Sequence, residues 1–279
     1  MTAVSGQTTH RVQVGPDSVA KTYVSWERDE PDREWRGLSL LAEHAPGLAP
    51  VPLARDVRDG APTVVMSRVP GAELGPGALS AVETSALGAA LRRLYDVPAA
   101  VVAGLPERTW GPSSLLALVR DRAGEPRDAP PEAAPALAAA RTWLADPARD
   151  AQAVVVDPVL GLADGNLANV LFDGTTCRLV DFEDSGLSDP AYEVADLVEH
   201  VSVRLARALD AEALVREVGL TDAQVVRCAE FRALFAVHWL LMLLPGGPAH
   251  HRNPPGSLAD QVAHVLHLLP THDTHGPHG

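Results

Sequence analysis

Three side chains in one stretch of this chain have the types and spacing that phosphoryl transfer demands. Asp164 is followed five residues later by Asn169, and a second acid, Asp181, ends a later apolar run. In such a reaction one carboxylate takes the proton of an attacking hydroxyl. An Asn oxygen and a second carboxylate serve Mg²⁺, which bridges the phosphates of a nucleotide. Between them lie the apolar run Val170-Leu171-Phe172, the turn Asp173-Gly174 and the run Leu179-Val180. Asp-Gly between two apolar runs signals a β-hairpin. Such a hairpin carries Asn169 and Asp181 at its outer ends, where both can reach one metal. A lone Asp in a loop is ordinarily a turn residue. It is the company of Asn169 and Asp181 that makes Asp164 a candidate base, and Asp173 is read as the turn's own residue.

The second chemical signal is a rarity. The chain holds 22 arginines and a single lysine, Lys21, in the strand-like run Ser18-Val-Ala-Lys-Thr-Tyr23. A lysine on such a strand is what kinases use to hold the α- and β-phosphates, and a compact ammonium fits where a guanidinium fork does not. The bland alternative is a leftover surface lysine. Pro31 opens a helix in which Trp35, Leu38, Leu41 and Ala42 recur at helical spacing. Glu34 lies on the face that turns inward, where a carboxylate is costly unless paired. Lys21 is its expected partner, with Glu43 as the second choice for that role and a solvated helix charge as the alternative.

These groups need a frame. Residues 5–14 and 18–25 read as two strands about the turn Gly15-Pro16-Asp17, preceded by a polar loop, Ser5 to Thr9, whose Gly6 would cover the phosphates. Residues 46–56, with three prolines, read as a connector, and Pro62 to Ser67 as a buried strand. The strand runs into Arg68-Val-Pro-Gly71, where regular structure breaks. This stretch resembles the kinase hinge, which implies that Met66 flanks the base and that the backbone of Ser67 to Val69 bonds its edge. Helices are expected over 77–96, 111–123, 131–147, 192–209 and 221–244. The stripe Phe231, Phe235, His238, Trp239 and Met242 on the last suits core packing, with Trp239 also a candidate substrate contact. Residues 124–131 read as a polar, Pro-rich loop and 271–279 as a low-complexity, disordered tail.

Taken together, the residues resemble the aminoglycoside phosphotransferase and choline kinase family, relatives of protein kinases. The usual pattern there is His-Gly-Asp, four residues, then Asn, followed by a strand ending in Asp-Phe-Gly or Asp-Phe-Glu. Here Leu162 and Ala163 replace the His and Gly, and Glu183 follows Asp181-Phe182 as in choline kinases. The resemblance continues through Ser188-Asp189-Pro-Ala-Tyr-Glu193-Val-Ala-Asp196, where Asp189 is expected to cap a helix.

The resemblance implies an α+β, two-lobed protein-kinase-like fold, with a small antiparallel-sheet lobe over residues 1–70 and a mainly helical lobe over 71–279. ATP or GTP and Mg²⁺ would occupy the cleft. It also implies that Glu183 and Asp184 face the acceptor, a hydroxylated and cationic small molecule of aminoglycoside type. Its rivals are a choline- or amino-alcohol-type kinase and a non-catalytic nucleotide-binding protein. Leu162 puts the rigidity of the catalytic loop in question.

Composition narrows the partners. The net charge of −13 speaks against nucleic acid or an anionic membrane. Residues 1–70 carry 8 basic and 9 acidic side chains, and 71–279 carry 15 and 27, so the acidity belongs to the second part. An acidic cleft steers cations, although solubility charge explains the same excess. With two cysteines, no signal peptide and no membrane-length apolar run, the expectation is a cytoplasmic protein without disulfides or a zinc site, acting as monomer or homodimer.

Overall fold

The computed structural model describes residues 2–3, 10–75, 77–124 and 129–269. The expected phosphate loop with Gly6 lies outside them, as do Glu125–Asp128 and the tail 271–279. The described chain is a mixed α+β structure, with a small antiparallel sheet followed by a helical part. The sheet is formed by β1 (Thr2–Ala3), β2 (Arg11–Val14), β3 (Ser18–Thr22), β4 (Pro52–Arg58) and β5 (Ala61–Ser67), in the order β1-β2-β3-β5-β4. Helix α1 (Glu30–His44) interrupts it in sequence, with a proline in its first turn as expected.

The connector expected over 46–56 is corrected in part, because its second half belongs to β4. β4 pairs with β5 through Arg58↔Ala61 across Asp59-Gly60, whose φ values of 53° and 77° are those of a type I′ turn. This is the same dipeptide read as a hairpin signal at 173–174. β4 was missed because five of its seven residues are exposed, so it shows no alternation between apolar and polar residues.

β6 (Ala72–Glu73) follows the break at residues 68–71, and α2 (Ala81–Tyr95) begins the helical part with a capping box built by Ser80 and Glu83. α3 (Ala99–Val102), α4 (Pro112–Gly124), α5 (Ala134–Leu144) and α6 (Ala148–Gln152) lead to the strands that carry the motif. These are β7 (Val159–Gly161), β8 (Val170–Phe172), β9 (Cys177–Leu179) and β10 (Gly186–Ser188). β8 and β9 form the expected hairpin, but its loop has four residues rather than two, since Phe172 pairs with Cys177. Asp173 organises that loop, accepting from the amides of Thr175 and Thr176.

The helix expected over 192–209 is two, α7 (Pro190–Glu199) and α8 (Val201–Leu205), broken at His200. Asp189 caps α7 through the Ala191 amide. α9 (Ala211–Val218), α10 (Asp222–Leu243) and α11 (Ser257–Leu268) complete the fold. α10 packs on α7, α4 and α11, and Phe231 and Phe235 close on Tyr192 of α7. One apolar core runs from Tyr23 and Met66 of the sheet through Phe182 to Val265 of α11. Both cysteines are buried and free. Among the described residues no helix is long and apolar enough to cross a membrane.

Candidate active site

Lys21 projects from β3 into a cluster of three carboxylates. Its Nζ lies 2.7 Å from Glu34 Oε2 and 2.6 Å from Glu183 Oε2, and it also contacts Asp181 Oδ1. Glu34, on the inward face of α1, is fully buried and accepts twice more, from the Tyr23 hydroxyl at 3.1 Å and from the Phe182 amide at 3.1 Å. One buried carboxylate thus ties the lysine strand to the backbone just after Asp181. Glu43, the second choice, is solvent-exposed.

Burial opposes the charge on Lys21, but Glu34 and then Asp181 outweigh it and hold the ammonium pKa well above its usual value. Partial burial, with the like charges of Glu34 and Glu183, pushes Asp181 up to about 6 against the pull of Lys21. Glu183 is held down to about 2, because its close contacts with His10 and Lys21 overcome its burial.

His10 was not singled out in the sequence. Its Nδ1 accepts from the Val24 amide at 3.1 Å, so its proton sits on Nε2, 2.9 Å from Glu183 Oε2. Glu183 is therefore engaged with the lysine and His10, in place of the acceptor-facing position the resemblance implied. Asp184 instead lies beside Arg28, with Oδ1 at 3.3 Å from Arg28 Nε.

Across the loop before β8, Asn169 donates from Nδ2 to Asp164 Oδ2 at 3.0 Å, and the Asn166 amide donates to Oδ1 at 3.2 Å. Among the described residues the Asn169 side-chain carbonyl oxygen accepts no hydrogen bond. The Val180 amide donates to Asn169 O at 3.0 Å, so the ends of the hairpin hold Asn169 and Asp181 side by side. An amide oxygen next to a carboxylate suits Mg²⁺, which takes few protein oxygens and completes its shell with phosphate and water. Asp181, Glu183 and Glu34 form the one carboxylate cluster of metal-holding dimensions among the described residues, with the Lys21 ammonium in contact with all three.

The loop that carries Leu162 and Ala163 is held by α7. Glu193 Oε2 accepts from the amides of Leu162 at 2.9 Å and Ala163 at 3.3 Å. Its Oε1 takes Arg108 Nη1 and the Ser188 hydroxyl, each at 2.6 Å. Arg108 also reaches Asp196 at 2.7 Å. The loop is thus gripped from its backbone by a carboxylate. No motif pointed to Arg108, which is distant in sequence from both acids.

The hinge narrows. The Ser67 amide is committed to Val51 O at 2.8 Å and the Arg68 amide to Asp17 O at 2.9 Å. Of the expected backbone donors only that of Val69 is left for a base edge. Met66 is buried in the core beneath the sheet. Trp239 sits on α10 between His200 and His238, with ring centroids at 4.9 and 5.5 Å. Burial lowers the His238 pKa to about 4, so its ring is neutral near pH 7.

Among curated protein sequences the chain has no match. Solved structures share its fold. A choline/ethanolamine kinase family protein from Mesorhizobium loti superposes with a TM-score of 0.66 at 19% identity, over 94% of this chain and 86% of that one. The choline kinase LicA from Streptococcus pneumoniae gives 0.62 at 14%, over 96% and 92%. The macrolide 2'-phosphotransferase from Brachybacterium faecium gives 0.57 at 17%, over 94% and 90%. At these identities the likeness establishes the kinase-like fold and leaves the acceptor open. The sequence profile described as the phosphotransferase enzyme family matches residues 4–231, most of the chain, and the chain belongs to that family.

Proposed function

We propose that this chain transfers the γ-phosphoryl group of ATP or GTP, as its Mg²⁺ complex, to a hydroxyl of a small molecule, with a hydroxylated antibiotic of aminoglycoside type as the acceptor. The observation that carries the reading is that the hairpin sets Asp181 against Lys21 and Glu34 at one end while Asn169 meets Asp164 at the other.

Asp164 receives the acceptor proton. Its side chain is 43% exposed, so an acceptor can reach it, and Asn169 and the Asn166 amide fix its plane. Such transition states need positioning more than a strong base. Lys21 holds phosphate oxygens. Each of its three donors already faces a carboxylate, so one carboxylate must let go when phosphate arrives. Asp181 is the one able to do so, with a side chain 39% exposed against 1% for Glu34 and 13% for Glu183. Asn169 and Asp181 would hold Mg²⁺, which when bound neutralises charge on the β- and γ-phosphates. The excess of acids in residues 71–279 supports a cationic acceptor. A choline reading calls for an aromatic cage, and of its two candidates Trp239 is packed edge-to-face by two histidines while Trp110 is 45% exposed.

The test is nucleotide consumption with Mg²⁺-ATP and Mg²⁺-GTP against aminoglycosides, other hydroxylated antibiotics, choline and ethanolamine. Turnover dependent on an aminoglycoside is the expected result, and Asp164→Ala should lower it by about a hundredfold or more while nucleotide binding persists. Turnover with choline alone would replace the acceptor class. Nucleotide binding with no turnover would favour a non-catalytic role.

A further inference from the structure

Asp164 has a neighbour that no motif announces. His200 Nε2 lies 3.7 Å from Asp164 Oδ1. His200 stands at the break between α7 and α8, with φ −53° and ψ 129°, and its side chain is only 14% exposed. Its Nδ1 is 2.7 Å from Ser202 Oγ, and its ring packs edge-to-face on Trp239. A Ser202 hydroxyl donating to Nδ1 leaves the ring hydrogen on Nε2, the nitrogen beside Asp164. Burial lowers the His200 pKa against the opposing pull of Asp164, which favours a neutral ring near neutral pH. The ring then acts as a hydrogen-bond donor without adding a charge.

The remaining contacts of Asp164 make this meaningful. Oδ2 is held by Asn169, and Oδ1 by the Asn166 amide alone. A separation of 3.7 Å is too long for a hydrogen bond, but catalytic contacts are commonly loose until substrate is in place. α7 is anchored to the same loop at its other end, through Glu193 and the Leu162 and Ala163 amides. The corner bearing His200 is therefore fixed relative to Asp164.

We propose that His200 is a positioning residue for the transfer, its Nε2–H steadying Asp164 Oδ1 toward the acceptor hydroxyl and Trp239 setting the plane of its ring. The inference rests on the phosphotransfer reading above. A merely structural His200 would only fill space against Trp239 and end α7. Two variants separate these roles. His200→Gln keeps an N–H donor at similar reach and loses the ring, whereas His200→Phe keeps the ring and loses the donor.

With the acceptor found above, kcat of His200→Gln should stay within about threefold of wild type, and kcat of His200→Phe should fall about ten- to a hundredfold, with both KM values nearly unchanged. Wild-type kcat in His200→Phe overturns the proposal, as does equal damage in both variants or a loss confined to KM. A wild-type protein that binds Mg²⁺-nucleotide yet turns over with no acceptor overturns the phosphotransfer reading and this inference together. An active wild type with an unaffected Phe variant overturns this inference alone.

Discussion

Ala163 holds φ at +74° while buried beside the proposed base. A side chain in the left-handed region costs about 1–2 kcal/mol, and the family pattern has glycine at this place. The conformation persists because Glu193 takes the amides of both Leu162 and Ala163. Ala163→Gly relieves that strain at the loss of one buried methyl. It should raise stability by about 1 kcal/mol and the melting temperature by about 2 °C. Thermal unfolding of the variant decides it, and a lower melting point would mean that the methyl contributes more than the strain costs. The neighbouring Gly165 is needed for a different reason, since a Cβ there would meet Asp196 O at 2.5 Å. At this scale the sequence was most readable where a residue type is hard to explain by packing. A lone lysine, and an Asp, Asn and Asp set about a hairpin, are of that kind. His10, His200 and Arg108 were opaque, because each owes its place to neighbours far away in the chain and a solitary His or Arg carries no spacing signal.

α7 serves the site from both of its ends. Its first turns present Glu193 and Asp196 to a buried Arg108, and its end places His200 at Asp164. A buried arginine between two acids is costly to assemble and costlier to break, since removing one partner leaves an uncompensated charge. Asp196 bears the mark of this. Burial pushes its carboxyl up to about 6 although Arg108 pulls the other way.

A carboxyl raised in the folded state contributes stability that is fully present below its unfolded pKa, near 3.8, and is lost as pH rises through about 6. Asp196→Asn cannot ionise, so it escapes that loss, and the pull of Arg108 on the ionised carboxyl is already contained in the raised pKa. Relative to wild type, the variant should therefore gain about 2 kcal/mol between pH 4.5 and 7.5. Denaturant unfolding of both proteins at the two pH values tests this, and a constant difference would show that Asp196 titrates normally. Helices such as α2 and α10 were legible from apolar spacing. The break of α7 at His200 was not, because neither proline nor glycine marks it. β4 was also missed, lying exposed at the sheet edge although Asp59-Gly60 announced its turn.

The sheet and the helical part meet through α1 and the segment after β9. Glu34 bonds the Phe182 amide, Arg33 reaches the carbonyls of Glu107 and Ser185, Arg28 pairs with Asp184, and His10 with Glu183. At the centre of this seam one ammonium offsets three carboxylates. Lys21 thus has a part in holding the molecule together that is separable from any role toward phosphate. Lys21→Met would leave Glu34, Asp181 and Glu183 facing one another without a cation. Breaking such a buried set costs about 3–5 kcal/mol. Their ligand oxygens lie within 4.8 Å of one another, a spacing that a divalent cation can bridge. In chelator, the variant should melt well below wild type. Millimolar Mg²⁺ without nucleotide should recover much of that loss in the variant and change wild type little, because there the ammonium already fills the seam. Equal Mg²⁺ responses in the two proteins would mean that the carboxylates relax apart or protonate instead. A variant that melts with wild type in chelator would make Lys21 a phosphate ligand with no structural part in the seam.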